Sequence, residues 1–324
     1  MWMEFALAGL GLVILLLAGD VLVKGAVNLS LRLGIPALIV SLTVVAFGTS
    51  APELLISIKS VLNGVPGLAL GNVVGSNTAN ILLVLGIPAL ISGLRAGSDT
   101  QRTYMVMIVS TLIFIGLAFA GPITWWHSII LLGILSLVLL DAVRSARAHR
   151  REANGASAEE AAEIAGIEEL EEADPDMPWW QIGLYVLLGL IGLPLGADLL
   201  VDSSIAIASA YGVSDTVIGL TLVAVGTSLP ELATTVMAAI RKHADVALGN
   251  VIGSNMFNLL AIIGVAALVG PIPVDPEFLS FDLWVMLAAS LVLAPFVFLG
   301  LQMGRLVGLG FSALYVTYIL VLLT

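Results

Sequence analysis

The stretch Gly48-Thr49-Ser50-Ala51-Pro52-Glu53 (GTSAPE) sits inside a long apolar run, VSLTVVAFGTSAPELLISI, and returns at Gly226 to Glu231 as GTSLPE. A carboxyl group beside a proline is costly at membrane depth, because the charge loses its water and the proline breaks the helix ladder. A chain that places this pair there twice has a use for it.

The surroundings establish that the setting is a membrane. Of 324 residues, 59% are hydrophobic and only 11% charged, with a mean hydropathy of +1.10. Soluble domains carry about 25% charged residues, so the chain reads as an all-α integral membrane protein. Its apolar runs are long enough for spanning helices rather than barrel strands. The net charge of −11 is local in origin, since ten of the 23 acids fall within residues 152–176. Cysteine is absent, which removes disulfides and thiolate metal sites. The N-terminal run MWMEFALAGLGLVILLLAGD lacks a basic n-region and a small-residue cleavage site, and is expected to stay as a transmembrane helix.

Apolar segments of spanning length fall near 4–23, 36–62, 67–91, 103–120, 123–144, 180–201, 213–241, 246–269, 282–300 and 305–323, predicting ten helices. The long polar stretch 145–178 divides them five and five. With that Arg-flanked loop on the cytoplasmic side, alternation puts Lys24, Arg32, Arg95, Arg102, Arg241, Lys242 and Arg305 inside as well. The loops on the other side hold only acids, among them Asp215, Asp275 and Glu277. Both termini are then expected outside.

At a constant shift of 178 residues Asp20 falls on Asp198, Thr43 on Thr221, Glu53 on Glu231, Gly71 on Gly249 and Asn80 on Asn258. Across 46–86, 18 of 41 positions are identical to their counterparts. A copy with an odd number of helices enters the membrane upside down relative to the first. Two inverted five-helix repeats are therefore expected: 1–144 with its motif at 43–86, the acidic cytoplasmic loop 145–178, and 179–324 with its motif at 221–264. Such repeats, interrupted at matching positions, are a mark of secondary transporters with a site near the midplane.

The repeated polar residues form two clusters per copy. The first holds Ala46, Thr49, Ser50 and Glu53, matched by Ala224, Thr227, Ser228 and Glu231. The second holds Ser76 and Asn80, matched by Ser254 and Asn258. Spacings of three and four residues put each set on one helix face. Pro52 loosens the helix before it, with Gly48 allowing the bend, so that carbonyls near Ala46, Gly48 and Thr49 are expected to lose their partners. Every candidate ligand is an oxygen, which suits Ca²⁺, Na⁺ or Mg²⁺ and favours Ca²⁺ where the ion is fully dehydrated. Two carboxylates converging at mid-membrane are neutralised by one Ca²⁺, two Na⁺ or two protons. Competition of that kind for one site is what an exchanger requires.

Structural readings compete with these. The spacings Gly71/Gly75 and Gly249/Gly253 also suit close helix packing. Ser76 and Ser254 can back-bond within their helices, and Asn80 and Asn258 can join helices. Asp20 and Asp198 are placed at helix ends, as caps or vestibule charges on one reading and as ion ligands on the other. His127, His149 and His243 are placed in loops without a role, and Lys59 is expected to snorkel to an interface.

The two motifs, GTSAPE…GNVVGSNTAN and GTSLPE…GNVIGSNMFN, resemble the paired repeats of the cation/Ca²⁺ exchanger superfamily, specifically prokaryotic sodium/calcium exchangers. The resemblance covers essentially the whole chain. It implies a transporter rather than an enzyme, working by alternating access and commonly exchanging three Na⁺ for one Ca²⁺. It makes Glu53 and Glu231 the shared carboxylates, with Thr49, Ser50, Thr227 and Ser228 beside them and Ser76 and Ser254 flanking. The carbonyls of Ala46 and Ala224 would complete outer Na⁺ sites, and helices 1 and 6 would slide past the core. Asn at both 80 and 258 departs from relatives that carry an Asp at one of these positions, which leaves the coupling ion open among Na⁺, H⁺ and K⁺. A cation channel or a membrane scaffold is the reading from another class. The expected partners are Ca²⁺, Na⁺ and the lipid bilayer of a prokaryotic plasma membrane, with no cofactor and no nucleic acid.

Overall fold

The structure, a computed structural model, describes residues 2–97, 100–153, 174, 176–211, 224–276 and 278–322. Its helices are α1 (Trp2–Leu33), α2 (Ala37–Thr49), α3 (Ala51–Leu62), α4 (Pro66–Ile91), α5 (Thr100–Phe119) and α6 (Trp125–Ala153). They are followed by α7 (Trp179–Ala210), α8 (Ala224–Gly226), α9 (Leu229–Ile240), α10 (Ala244–Val269), α11 (Phe278–Phe298) and α12 (Arg305–Leu322). Among the described residues, eight helices are long and apolar enough to cross a membrane. A ninth span counts if α2 and α3, bent by 43° at their junction, are taken as one. The tenth expected span, 213–241, is described only from Ala224 onward, as α8 and α9. Thr221, Asp215, Glu277 and most of the acidic loop lie outside the described residues.

Turn chemistry explains where the helices stop. After α1, Gly34 takes φ 63° and the Ile35 N–H donates back to the Ser30 carbonyl at 3.1 Å, with Pro36 barring any continuation. After α3, Gly64 (φ 77°) and the Val65 N–H to Ser60 carbonyl bond (2.9 Å) repeat this arrangement. The second copy makes the same turn with Lys242 at φ 61° and the His243 N–H on the Ala238 carbonyl at 2.8 Å. A lysine is strained in the left-handed region that glycine enters freely, so the turn is held by its surroundings.

Burial sorts the helices into a centre and a rim. In α10, 89% of the spanning window is buried, and in α4 72%, against 6% in α6. The α10 helix packs against α2, α5 and α9 at the middle of the molecule. On the rim, α1 lies along α7 with backbones nearly touching. A Cβ on Gly11 would meet Leu200 N at 2.7 Å, one on Gly196 would meet Leu15 N at 2.8 Å, and one on Gly25 would meet Val186 N at 2.9 Å. Small residues let helices approach this closely where no hydrophobic drive separates lipid from protein. The outward faces carry Leu12 and Leu17 of α1, Leu137 and Leu140 of α6, and Leu309 and Leu314 of α12. An apolar surface of this extent suits lipid, and the exposed pairs Trp125/Trp126 and Trp179/Trp180 stand at helix starts as interfacial residues do.

Several placements differ from expectation for one reason. Hydropathy ends a span at the first charge, whereas a helix continues as long as its backbone is satisfied. Thus Asp20 and Asp198 lie within the 32-residue helices α1 and α7 rather than at their ends. Lys24 and Arg32 ride on α1, α6 runs past 144 to Ala153, and His127 and His149 belong to α6. His243 immediately precedes α10. Lys59 is exposed on α3.

Candidate ion-binding site

The breaks within the two repeats have one geometry. Ser50 (φ −87°, ψ 6°) interrupts α2 and α3, and Ser228 (φ −89°, ψ 5°) interrupts α8 and α9. Pro52 and Pro230 follow in the first turn of the next helix, where a missing amide hydrogen leaves no bond unmade. Glu53 and Glu231 come next, at helix N-termini whose partial positive charge favours an acid. The Ala46 carbonyl is not freed by the break: it accepts from the Ser50 N–H at 3.1 Å and from the Thr49 hydroxyl at 3.3 Å. Nor does Gly48 supply the bend, since it lies within regular helix. Its role is close packing, because a Cβ there would collide with the Leu190 side chain of α7.

The carboxylates are buried, Glu53 at 0% and Glu231 at 1% relative exposure, and are close enough to feel each other's charge. Ser50 donates to Glu231 Oε1 across the repeats at 3.0 Å, and Ser254 Oγ lies 3.5 Å from the same oxygen. Thr49 Oγ1 reaches Asn250 Oδ1 at 3.3 Å. Thus Thr49, Ser50 and Ser254 gather on Glu231, while Ser76, Ser228, Asn80 and Asn258 are also buried. Thr227 is half-buried, and of Ala224 only the backbone, at the start of α8, is described.

Among the described residues, a group of these oxygens has no hydrogen-bond partner: both Glu53 Oε atoms, Glu231 Oε2, Ser228 Oγ, Asn80 Oδ1 and Asn258 Oδ1. All belong to repeated motif residues. Buried polar atoms are paired in the great majority of cases, and leaving one bare costs about 1–3 kcal/mol, more when it is charged. Neither carboxylate has a salt-bridge partner among the described residues. Acceptors without donors, two of them carboxylates, form a set that a hard cation satisfies.

Four asparagines that the sequence reading left without a role complete the arrangement. Asn72 donates to the Glu53 carbonyl at 3.3 Å and to Ser57 Oγ at 3.2 Å. Asn250 does the same to the Glu231 carbonyl at 3.4 Å and Thr235 Oγ1 at 3.2 Å. Asn77 and Asn255 bond each other's backbone across α4 and α10. All four recur at the 178-residue shift, which was the available signal. Five-residue π-helical segments begin at Asn80 and at Asn258, again in register. Such widened turns re-aim side chains and gather at functional sites. The stripe Gly249/Gly253 does pack closely, as a Cβ on Gly249 would meet the Leu38 carbonyl at 2.8 Å and one on Gly253 the Leu42 carbonyl at 2.6 Å.

A separate cavity of about 480 Å³ opens between α2, α5, α6 and α10, lined by Leu38, Leu42, Val106, Leu137 and Met256. Its charged groups, Arg102 and Asp141, pair with each other, and it contains none of the repeated polar residues.

A bundle of spanning helices around buried, partnerless oxygens from two matched helix breaks defines a membrane ion transporter. Residues 3–142 and 182–324 match the family described as "Sodium/calcium exchanger protein", and the chain belongs to that family. It is similar to the sodium/calcium exchanger MaX1 of Methanosarcina acetivorans, with 34% identity covering 98% of each chain. It is also similar to the inner membrane protein YrbG of Escherichia coli, with 34% identity over 91% of this chain and 88% of that one. Among solved structures it resembles the sodium-calcium exchanger NCX_Mj soaked with zero Na⁺ and Ca²⁺, at 30% identity and a TM-score of 0.81, covering 98% of this chain and 97% of that one. The protein is thus a cation/Ca²⁺ exchanger and a multi-pass membrane protein of prokaryotic cell-membrane type.

Proposed function

We propose that the chain exchanges Na⁺ for Ca²⁺ by alternating access, with Glu53 and Glu231 as a carboxylate pair for which the two ions compete. The observation that carries this reading is the group of buried oxygens without donors. Two carboxylates in a low-dielectric interior are expensive to carry empty across a bilayer, so occupancy by a neutralising cation gates the conformational change. One Ca²⁺ or several Na⁺ meet that condition, while a half-neutralised site does not.

Ser50 and Ser254 orient Glu231, and the oxygens of Asn80, Asn258 and Ser228 extend the coordination shell. Thr49, Thr227 and Ser76, with the carbonyl of Ala224, supply the flanking positions for Na⁺, and the carbonyl of Ala46 joins them when the Thr49 hydroxyl leaves it for its other acceptor, Asn250 Oδ1. The architecture is ten spans in two inverted halves, 1–144 and 179–324, with 145–178 in the cytoplasm and both termini outside. The helix pair α1 and α7, joined by its glycine seam, moves as one body past the centre.

The test is Na⁺-gradient-driven ⁴⁵Ca²⁺ uptake into proteoliposomes. Glu53→Gln and Glu231→Gln each abolish uptake while the purified protein stays monodisperse. Full transport by the double variant would refute the site. Replacing the Na⁺ gradient with a pH or K⁺ gradient in the same vesicles decides the coupling ion. Flux that ignores trans Na⁺ altogether identifies a channel.

A further inference from the structure

The central asparagines form a chain of hydrogen bonds that admits one assignment. A backbone carbonyl can only accept, so the Asn77 amide turns its Nδ2 to the Asn255 carbonyl at 3.1 Å, and Asn255 turns its Nδ2 to the Asn77 carbonyl at 3.2 Å. That leaves the Oδ1 of each as an acceptor. Asn80 Nδ2 donates to Asn255 Oδ1 and Asn258 Nδ2 donates to Asn77 Oδ1, both at 3.0 Å. With their nitrogens held on the neighbouring asparagines, Asn80 and Asn258 keep Oδ1 as the other end of the amide. Those two oxygens are buried and have no partner among the described residues.

We infer that Asn77 and Asn255 are positioning residues that lock the amides of Asn80 and Asn258 oxygen-first toward the transported ion. This rests on the antiport reading above and goes beyond it. A neutral amide offers a cation either an oxygen or an NH₂ group, and only the first binds. An unlocked amide at either position turns its donor end to the ion in part of the population. A carboxylate has oxygen at both ends and needs no lock. The lock is therefore what allows a chain with asparagine at both positions to present oxygen there, with no third charge.

The test is a double-mutant cycle read by equilibrium ⁴⁵Ca²⁺ binding to the purified full-length protein, with transport in proteoliposomes measured alongside. Asn255→Leu weakens Ca²⁺ binding by about 10–100-fold, the usual loss when the support of a metal ligand is removed. In an Asn80→Asp background the same substitution weakens binding by no more than about twofold, because the introduced carboxylate offers oxygen in either orientation and donates no hydrogen bond to Asn255 Oδ1. The mirror pair, Asn77→Leu with and without Asn258→Asp, gives the same pattern. Asn255→Ser, whose side chain is too short to hold Asn80, serves where the leucine variant fails to fold and weakens binding likewise. Equal losses in both backgrounds, or wild-type affinity in Asn255→Leu and Asn255→Ser, overturn the inference. Because binding needs no turnover, failure here is distinct from failure of antiport, which appears as Na⁺-independent flux with Ca²⁺ binding intact.

Discussion

Gly253→Ala adds one methyl group at the contact that seats α2 against α10. The new Cβ would lie 2.6 Å from both the Leu42 carbonyl oxygen and the Ala46 Cβ, and 2.9 Å from Leu42 Cα, where ordinary contacts are 3.4–4 Å. Two of those neighbours are backbone and the third is a Cβ, so none can rotate aside, and α2 must retreat by about 1 Å. Overpacking of this kind costs about 1–3 kcal/mol. The retreat also carries Ser50, which donates to Glu231 at 3.0 Å, beyond hydrogen-bond range. A lost bond to a charged group is worth about 1.5–3 kcal/mol, so apparent Ca²⁺ affinity should fall roughly 10–100-fold together with the thermal midpoint. The assays are thermal unfolding in detergent and the Ca²⁺ dependence of Na⁺-driven uptake. Gly310→Ala is the control, on an exposed face of α12 where no described atom lies within 4 Å of the added carbon. A Gly253→Ala protein with wild-type midpoint and affinity would show that the α2–α10 contact does not position the site.

Ser50→Ala removes the 3.0 Å donor to Glu231 and raises the apparent KM for Ca²⁺ about tenfold, whereas Ser254→Ala, at the 3.5 Å limit, raises it less; equal effects would refute that ranking. Asp20→Asn breaks the ion pair between α1 and Arg241, at the end of α9. Because Asp20 is not among the site's oxygens, the maximal rate changes while the KM for Ca²⁺ holds, and a KM effect alone would contradict the assignment.

Much of this was legible in the chain. The apolar runs foretold ten spans, of which eight or nine are found among the described residues, and the recurrence of GTSAPE as GTSLPE located the breaks and both carboxylates. The reading failed where hydropathy and helix geometry part company: Asp20, Lys24 and Arg32 looked like loop or cap residues but ride on α1, whose backbone continues beyond the apolar core. Proline chemistry foretold a helix loosened ahead of Pro52 with Gly48 as the bend; the break falls at Ser50 instead, and the Ala46 carbonyl kept its partner. The π-helical turns at Asn80 and Asn258 have no propensity signature in the residues that form them. Asn77 and Asn255 were visible as repeated letters, but amides that bond a facing backbone can be told from surface amides only in three dimensions.

The exchange of bonds between Asn77 and Asn255, and its echo through Asn80 and Asn258, has the form of a homodimer contact written into a single polypeptide. Each side supplies what the other receives, so the join is self-complementary and owes nothing to the linker between the halves. A gene split within that linker would leave this seam chemically whole. Two fragments made separately would find their register from these four amides.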